Sequence, residues 1–240
     1  MISAPLEPTR AFGLPRLNEP APPFEAVTTH GVIKLSDFAG SWLILFSHPA
    51  DFTPVCTTEF VAFTEIAPKL REKNVELLGL SIDSVYSHLA WARNIREKLD
   101  VEIPFPIIAD LDRAVATAYG MIMPGESKTE TSRCVFIIDP KAIVRAMIYY
   151  PLTTGRNMQE ILRLVDALQT ADAYQVATPA NWEPGKKVII PAPKTSDELE
   201  QRVEAGFECA DWYLCLKSID GAAAAAAAPI HTPATAMAVK

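Results

Sequence analysis

Five consecutive apolar residues, Trp42 to Phe46, run without alternation into Ser47-His-Pro-Ala-Asp-Phe-Thr-Pro-Val-Cys56, and an amphipathic stretch follows directly. So short a run without a polar face suits a central strand buried on both sides. Phe60, Phe63, Ala67 and Leu70 then recur at three- and four-residue spacing on one helical face, with Glu59, Glu65, Lys69, Arg71, Glu72 and Lys73 largely off it. Pro68 bends this helix late without ending it. Strand, turn and helix in that order put Cys56 in the first helical turn. There the backbone N–H groups lack partners and the helix dipole is positive, a setting that favours negative charge on sulfur.

The chain on either side repeats the rhythm. Val32 to Phe38 reads as a short strand and turn, and Val75 to Ile82 as a second buried strand. Asp83 or Ser84 caps a helix reaching Leu99. Phe105 to Ala109 is a further short strand, and a helix around Arg113 to Tyr119 ends at Gly120. Cys134 to Ile138 and Ile143 to Tyr149 are β-branched runs joined by Asp139-Pro-Lys-Ala142, a hairpin, and Asn157 to Gln169 is an amphipathic helix. Parallel crossovers followed by a hairpin and a closing helix predict a thioredoxin-like α/β sheet.

Four segments follow from this reading: a mobile proline-rich arm over 1–20, the α/β domain over 21–170, a small α+β domain over 171–220, and a low-complexity tail over 221–240. In the small domain Lys187 to Ile190 is a strand candidate, and Thr195-Ser-Asp-Glu198 has the spacing of a capping box for a helix reaching about Ala205. The alanine run Ala222 to Ala228 has too few large apolar groups to offset the entropy of ordering it, so the tail is expected to be disordered.

Composition excludes several classes. A formal charge of −7 gives no electrostatic footing for nucleic acid, and no apolar run approaches a membrane span. The N-terminus lacks the basic start and apolar core of a secretory signal, so a cytoplasmic protein is expected. Four cysteines in 240 residues are too few for a disulfide scaffold; in an intracellular chain they point to redox activity or metal binding, of which redox activity fits better. Thr53 stands where a disulfide oxidoreductase would carry a second cysteine, three residues before Cys56. Its hydroxyl can turn back toward the sulfur or a bound substrate, while Cys56 must find another reaction partner.

The pattern Pro49-x-x-x-Thr53-x-x-Cys56, set in Phe46-Ser-His-Pro-Ala-Asp-Phe-Thr-Pro-Val-Cys-Thr-Thr-Glu59, resembles the active site of peroxiredoxins of the one-Cys sequence class. The likeness continues through Leu80-Ser-Ile-Asp-Ser84, His88-Leu-Ala-Trp91, Pro104-Phe-Pro-Ile-Ile108, Arg133, Tyr150-Pro-Leu-Thr-Thr-Gly-Arg-Asn157 and Ala177-Thr-Pro-Ala-Asn-Trp182. Several motifs in the right order are far more specific than one. The resemblance implies a thioredoxin fold and a peroxidase in which Cys56 attacks a hydroperoxide and becomes a sulfenic acid. It implies that Arg133 steadies the sulfur and the peroxide oxygens, that Thr53 orients the peroxide, and that Pro49 shields the intermediate. Arg156 resembles a second family arginine, Glu59 would orient the arginines, and His48 could hydrogen-bond near the thiol. Each has a plainer alternative: a paired surface or loop arginine for Arg133 and Arg156, turn and helix-start roles for Thr53 and Pro49, an exposed helix carboxylate for Glu59, a satisfied strand-end histidine for His48. Cys134 alternates into its strand and reads as a packed thiol.

Cys209 and Cys215 are spaced too widely for a C-x-x-C metal knuckle, and they either fill space in the small domain or react. This pair departs from strict one-Cys members and is similar to archaeal-type ones. The likeness implies that Cys215 of a partner subunit resolves the Cys56 sulfenic acid, that Cys209 exchanges with it, and that an external dithiol such as thioredoxin recycles the enzyme. It also implies homodimers, which in the family often close into decameric rings, and no metal, haem or flavin cofactor. Mammalian-type members carry a G-x-S-x-G-like stretch linked with lipase activity. Ala39-Gly-Ser41-Trp-Leu43 lacks the second glycine, and Ser36 stands where a histidine would be wanted, so no lipase activity is expected. The rival readings are a redox-regulated holdase or peroxide sensor, and a thioredoxin-like adaptor with an inert Cys56.

Overall fold

The computed structural model of the chain describes residues 14–219. The alanine-rich tail lies outside the described residues. Two compact units divide the chain, 1–162 and 163–240.

In the first unit seven strands form one mixed sheet. At its centre lies β3 (Trp42–Ser47), the unalternating apolar run, buried at every position. It leads into α1 (Pro54–Glu72), which carries Pro68 on its exposed side and continues for another turn. The chain returns through β4 (Val75–Ser81), parallel to β3, and crosses by α2 (Val85–Leu99) to β5 (Ile107–Ala109), parallel to β4. Ser84 caps α2, its hydroxyl accepting the Ser87 N–H. The strand expected from Phe105 begins only at Ile107, because Pro104 and Pro106 have no N–H to give a ladder. After the short α3 (Ala114–Ala118), β6 (Arg133–Ile138) and β7 (Val144–Tyr150) form the expected hairpin, β6 antiparallel to β3, and α4 (Met158–Tyr174) follows. The order β4-β3-β6-β7, with parallel β3 and β4 and a terminal hairpin and helix, is the thioredoxin-like arrangement.

At the sheet's edge the short strand and turn expected over Val32 to Phe38 are present, and a further strand before them was not anticipated. β1 (Glu25–Thr28) and β2 (Gly31–Lys34) form a hairpin that extends the sheet beyond β5, and a 3-10 turn over Leu35–Phe38 follows. The side chains of both strands are mostly exposed, so little hydrophobic signal marked β1 or its pairing with β2. The stretch read as a mobile arm is also partly tied down. The Asn18 N–H donates to the Val144 carbonyl at 2.7 Å and the Ala21 N–H to the Ala142 carbonyl at 2.8 Å.

Alternation along β3 sends Leu43 and Leu45 into one core with Leu78, Leu80, Phe136 and Tyr119. Phe46 points to the other side, beneath α1, where its ring stacks on Phe63 with centroids 4.0 Å apart and meets Phe60 and Phe105 edge-on. Gly79 on β4 lets these rings approach: a Cβ there would stand 3.4 Å from ring atoms of both Phe46 and Phe60. Along β6 the same alternation puts Cys134 in the first core and turns Arg133 toward α1.

The second unit has its own small core of Ala167, Val176, Trp182 and Val188. Its three-stranded sheet, β8 (Val188–Ile190), β10 (Leu214–Lys217) and β9 (Glu208–Asp211), carries α5 (Ser196–Glu204), capped by Thr195 as its sequence predicts. The β9–β10 hairpin was missed because β9 is exposed throughout and shows no alternation in burial.

Candidate active site

The site lies at the C-terminal end of β3, where the chain turns into α1. Thr53 is the N-cap residue, with extended backbone, and Pro54 takes the first helical position, where its missing N–H costs nothing. Cys56 therefore sits in the first turn, as its sequence predicts, and its side chain is fully buried as a free thiol.

Arg133 reaches across from β6. Its Nη1 donates to Cys56 Sγ at 3.2 Å and to Glu59 Oε2 at 2.7 Å, and its Nε and Nη2 donate to the Leu152 carbonyl at 3.0 and 2.9 Å. Glu59 lies one helical turn after Cys56 and is buried, not exposed. It also binds Arg156 as a fork, with Nε to Oε1 at 2.9 Å and Nη2 to Oε2 at 2.7 Å, and accepts the Arg156 backbone N–H at 2.9 Å. Arg156 Nη1 donates to the Ser47 and Cys134 carbonyls at 2.8 and 3.0 Å, and its guanidinium lies 5.2 Å from the ring centroids of Phe46 and Phe63. Four residues from three parts of the chain, Cys56 and Glu59 on α1, Arg133 on β6 and Arg156 before α4, thus form one buried cluster. One carboxylate faces two guanidiniums, so the excess charge presented to Sγ is positive, suited to steadying an anionic sulfur or oxygen.

Thr53 does not cap α1 with its side chain; its hydroxyl donates to the Ala50 carbonyl at 3.0 Å and leaves lone pairs open. Pro49 is buried in the same loop. His48 is also buried. Its Nε2 lies 2.9 Å from Asp51 Oδ1, while its Nδ1 has no hydrogen-bond partner. Burial pushes the His48 imidazole below its ordinary range, against the opposing pull of Asp51. At the other end of β3 the Ser41 hydroxyl donates to Asn74 Oδ1 at 3.0 Å.

Cys134 is buried, and burial pushes its thiol up to about 12, against a hydrogen bond with Ser47 and the charge of Arg156. Iodoacetamide is expected to leave Cys134 unlabelled in the native protein at mildly alkaline pH and to label it after denaturation. Peptide mapping checks this, and native labelling of Cys134 as fast as that of Cys56 would contradict it.

Cys209 and Cys215 belong to the second unit and face each other across β9 and β10, joined as a disulfide. Cys209 is exposed and Cys215 is buried. Sequence reasoning missed the Leu152 carbonyl, a backbone group with no residue-type signal, and the Asp51–His88 contact, in which His88 Nδ1 lies 2.9 Å from Asp51 Oδ2. His88 stood in one of the motifs of the resemblance, yet nothing in its spacing tied it to Asp51.

A buried first-turn cysteine facing an arginine in a thioredoxin-like sheet defines a cysteine-based redox protein. Residues 17–147 match the AhpC/TSA family, and residues 167–206 match the C-terminal domain of 1-Cys peroxiredoxin. The chain is 58% identical over 217 residues to a peroxiredoxin of Aquifex aeolicus, covering 86% of this chain and 98% of that protein. It is 52% identical over 218 residues to one of Methanocaldococcus jannaschii, covering 86% and 100%. Among solved structures, a yeast mitochondrial 1-Cys peroxiredoxin, described for its thiol resolving mechanism via glutathione/thioredoxin systems, superposes with a TM-score of 0.75 at 42% identity, covering 85% of this chain and 99% of that one. The chain belongs to the peroxiredoxin family and is a thiol peroxidase. No helix among the described residues is long and apolar enough to cross a membrane.

Proposed function

We propose that Cys56 is the peroxidatic sulfur and that hydrogen peroxide and small organic hydroperoxides are its substrates. The anionic sulfur attacks the distal oxygen of ROOH, the O–O bond breaks, and Cys56 sulfenic acid and ROH are formed. The observation that carries this reading is the 3.2 Å contact of Arg133 Nη1 with Cys56 Sγ, made by a guanidinium that Glu59 and the Leu152 carbonyl already hold. Thr53, whose hydroxyl donates to the Ala50 carbonyl, orients the peroxide, Pro49 shields the sulfur, and Arg156 acts by fixing Glu59.

The thiol of Cys215 from a partner subunit then condenses with the sulfenic acid, releasing water and forming a Cys56–Cys215 disulfide. Cys209 attacks Cys215, frees Cys56 and leaves the Cys209–Cys215 disulfide, which a dithiol such as thioredoxin reduces. The cross-strand bond between Cys209 and Cys215 supports the exchange step. The dithiol reductant is supported by the glutathione/thioredoxin systems named for the yeast relative. The cycle needs at least a homodimer, which we place in the cytoplasm and expect to assemble into decameric rings.

Intact-mass analysis and non-reducing peptide mapping after one equivalent of hydrogen peroxide test nucleophile and resolver together. The reduced protein is expected to form the Cys209–Cys215 disulfide, and a Cys209→Ser variant to stop at Cys56 linked to Cys215 of a second chain. Oxidation that ends at Cys56 sulfenic or sulfinic acid in both proteins would remove the resolving step. An unmodified Cys56 would remove the peroxidatic one.

A further inference from the structure

A second buried cluster grips the same loop. Asp51, two residues before Thr53, is held from three directions. Its backbone N–H donates to Asp83 Oδ2 at 2.9 Å, His48 Nε2 lies 2.9 Å from Oδ1, and His88 Nδ1 lies 3.0 and 2.9 Å from Oδ1 and Oδ2. Asp83 is itself fixed by the Ser81 hydroxyl at 2.7 Å, at the end of β4. His88 comes from α2, and its Nε2 donates to the Ile108 carbonyl of β5 at 3.0 Å. That carbonyl can only accept, so Nε2 carries a proton, and the contact of Nδ1 with the carboxyl group needs another, shared by the pair. The result is a charge-assisted tie between loop, helix and sheet. Burial opposes ionisation of Asp51, but the hydrogen bonds from His48 and His88 outweigh it and hold the carboxyl well below the usual range. Together His48, Asp51 and His88 have their donor atoms within 4.8 Å of one another, at separations that shared protons explain without a metal ion.

The residue between Asp51 and Thr53 shows what the tie holds. Phe52 has φ of 56°, in the left-handed region, which costs a residue other than glycine about 1–2 kcal/mol. Its side chain is 57% exposed and its ring lies 6.5 Å from that of Trp91, so burial offsets only part of this cost. Such a conformation persists only where the surroundings over-determine it. Here the constraints stand on either side: the three contacts of Asp51, and the Thr53 hydroxyl on the Ala50 carbonyl. The left-handed turn sets the direction in which the chain enters α1, and with it the positions of Thr53 and Cys56.

Resting on the reading of Cys56 as the peroxidatic sulfur, we propose that His88 is a positioning residue for the peroxidase reaction: through Asp51 it holds the left-handed turn at Phe52 and so the placement of Thr53 and Cys56. Both its ring nitrogens are engaged, by Asp51 and by Ile108, so it acts on the sulfur only through the loop.

Two near-isosteric variants separate its two contacts. His88→Asn puts an amide nitrogen near the Nδ1 position and keeps the tie to Asp51. His88→Gln puts it near the Nε2 position, keeping Ile108 and losing Asp51. In full-length reduced protein, two rates are measured for each: oxidation of Cys56 by hydrogen peroxide in stopped flow, and its alkylation by iodoacetamide, which needs no aligned O–O bond. His88→Asn is expected to oxidise near the wild-type rate and His88→Gln about 10- to 100-fold more slowly, the scale of an ångström-sized misplacement, with alkylation changed far less. Adding Phe52→Asn, which tolerates the left-handed conformation, is expected to restore much of the rate lost in His88→Gln, or its folding if strain at the turn is what unfolds it. A wild-type oxidation rate in His88→Gln, equal slowing in both variants, equal loss of both chemistries, or a double variant that stays slow or unfolded overturns the proposal. Failure of wild-type Cys56 to oxidise would instead strike the peroxidatic assignment.

Discussion

Cys56→Ser is expected to abolish peroxide consumption while leaving the fold intact. Serine is a close isostere, and its hydroxyl can meet Arg133 Nη1, which donates to sulfur at 3.2 Å in the native protein, so no buried donor is orphaned. What disappears is the chemistry, since an alcohol oxygen does not form the sulfenic acid that carries the cycle. No other thiol in the first unit can take over. Cys134 faces the opposite core, and burial holds its thiol up at about 12. Peroxide loss followed with dithiothreitol as reductant checks the prediction, with circular dichroism to show that the fold survives. Residual turnover at a fraction of the native rate, with Cys134 still reduced, would mean that another group reacts with peroxide.

Arg133→Gln is expected to lower the rate constant of Cys56 with hydrogen peroxide by about 100- to 1000-fold, the range seen when one preorganised donor to a developing charge is removed. Glutamine keeps an amide but loses the charge and the span needed to reach Leu152, Glu59 and Sγ at once. Arg133→Lys restores the charge without the fork and is expected to recover only part of the loss. Glu59 keeps its fork to Arg156 in both variants, which limits the cost to stability. Stopped-flow measurement with reduced protein decides the matter. An unchanged rate constant in the glutamine variant would place transition-state stabilisation elsewhere.

The strand, turn and helix around Cys56 were legible in the residues themselves because each carries its own periodicity: an unalternating run for β3 and three- and four-residue spacing for α1. The hairpin of β6 and β7 and the caps at Ser84 and Thr195 were legible for the same reason, being local chemistry. Pairings between distant residues were not. Glu59 and Arg156 are 97 positions apart, and it was the resemblance that brought Arg156 near the site and had Glu59 orient both arginines; no local signal did. Asp51 and His88 are separated by 37 positions and looked like an ordinary turn residue and an ordinary helix residue. The strand β1 and the β9–β10 hairpin escaped, although β2 was expected, because their exposed side chains carry almost no alternation for a sequence pattern to report. Local order was written in periodicity, whereas the charged cluster was written in topology.

Arg156 occupies an unusual station in that topology. The regular pairing of β3 with β6 runs as far as Phe46 and Val135, and at the next rung the Arg156 guanidinium bridges the Ser47 and Cys134 carbonyls, while the Ser47 hydroxyl accepts the Cys134 N–H at 3.2 Å. Side chains thus complete the ladder where two strands part, and one of the groups that complete it, the Arg156 guanidinium, also orients Glu59 and, through it, Arg133. The entropy of arranging these charges is met once, when the sheet folds, and is not exacted again at each encounter with a substrate molecule. A small peroxide, with few atoms to grip, brings little binding energy of its own for organising a site. This one is already organised by the architecture of its strands.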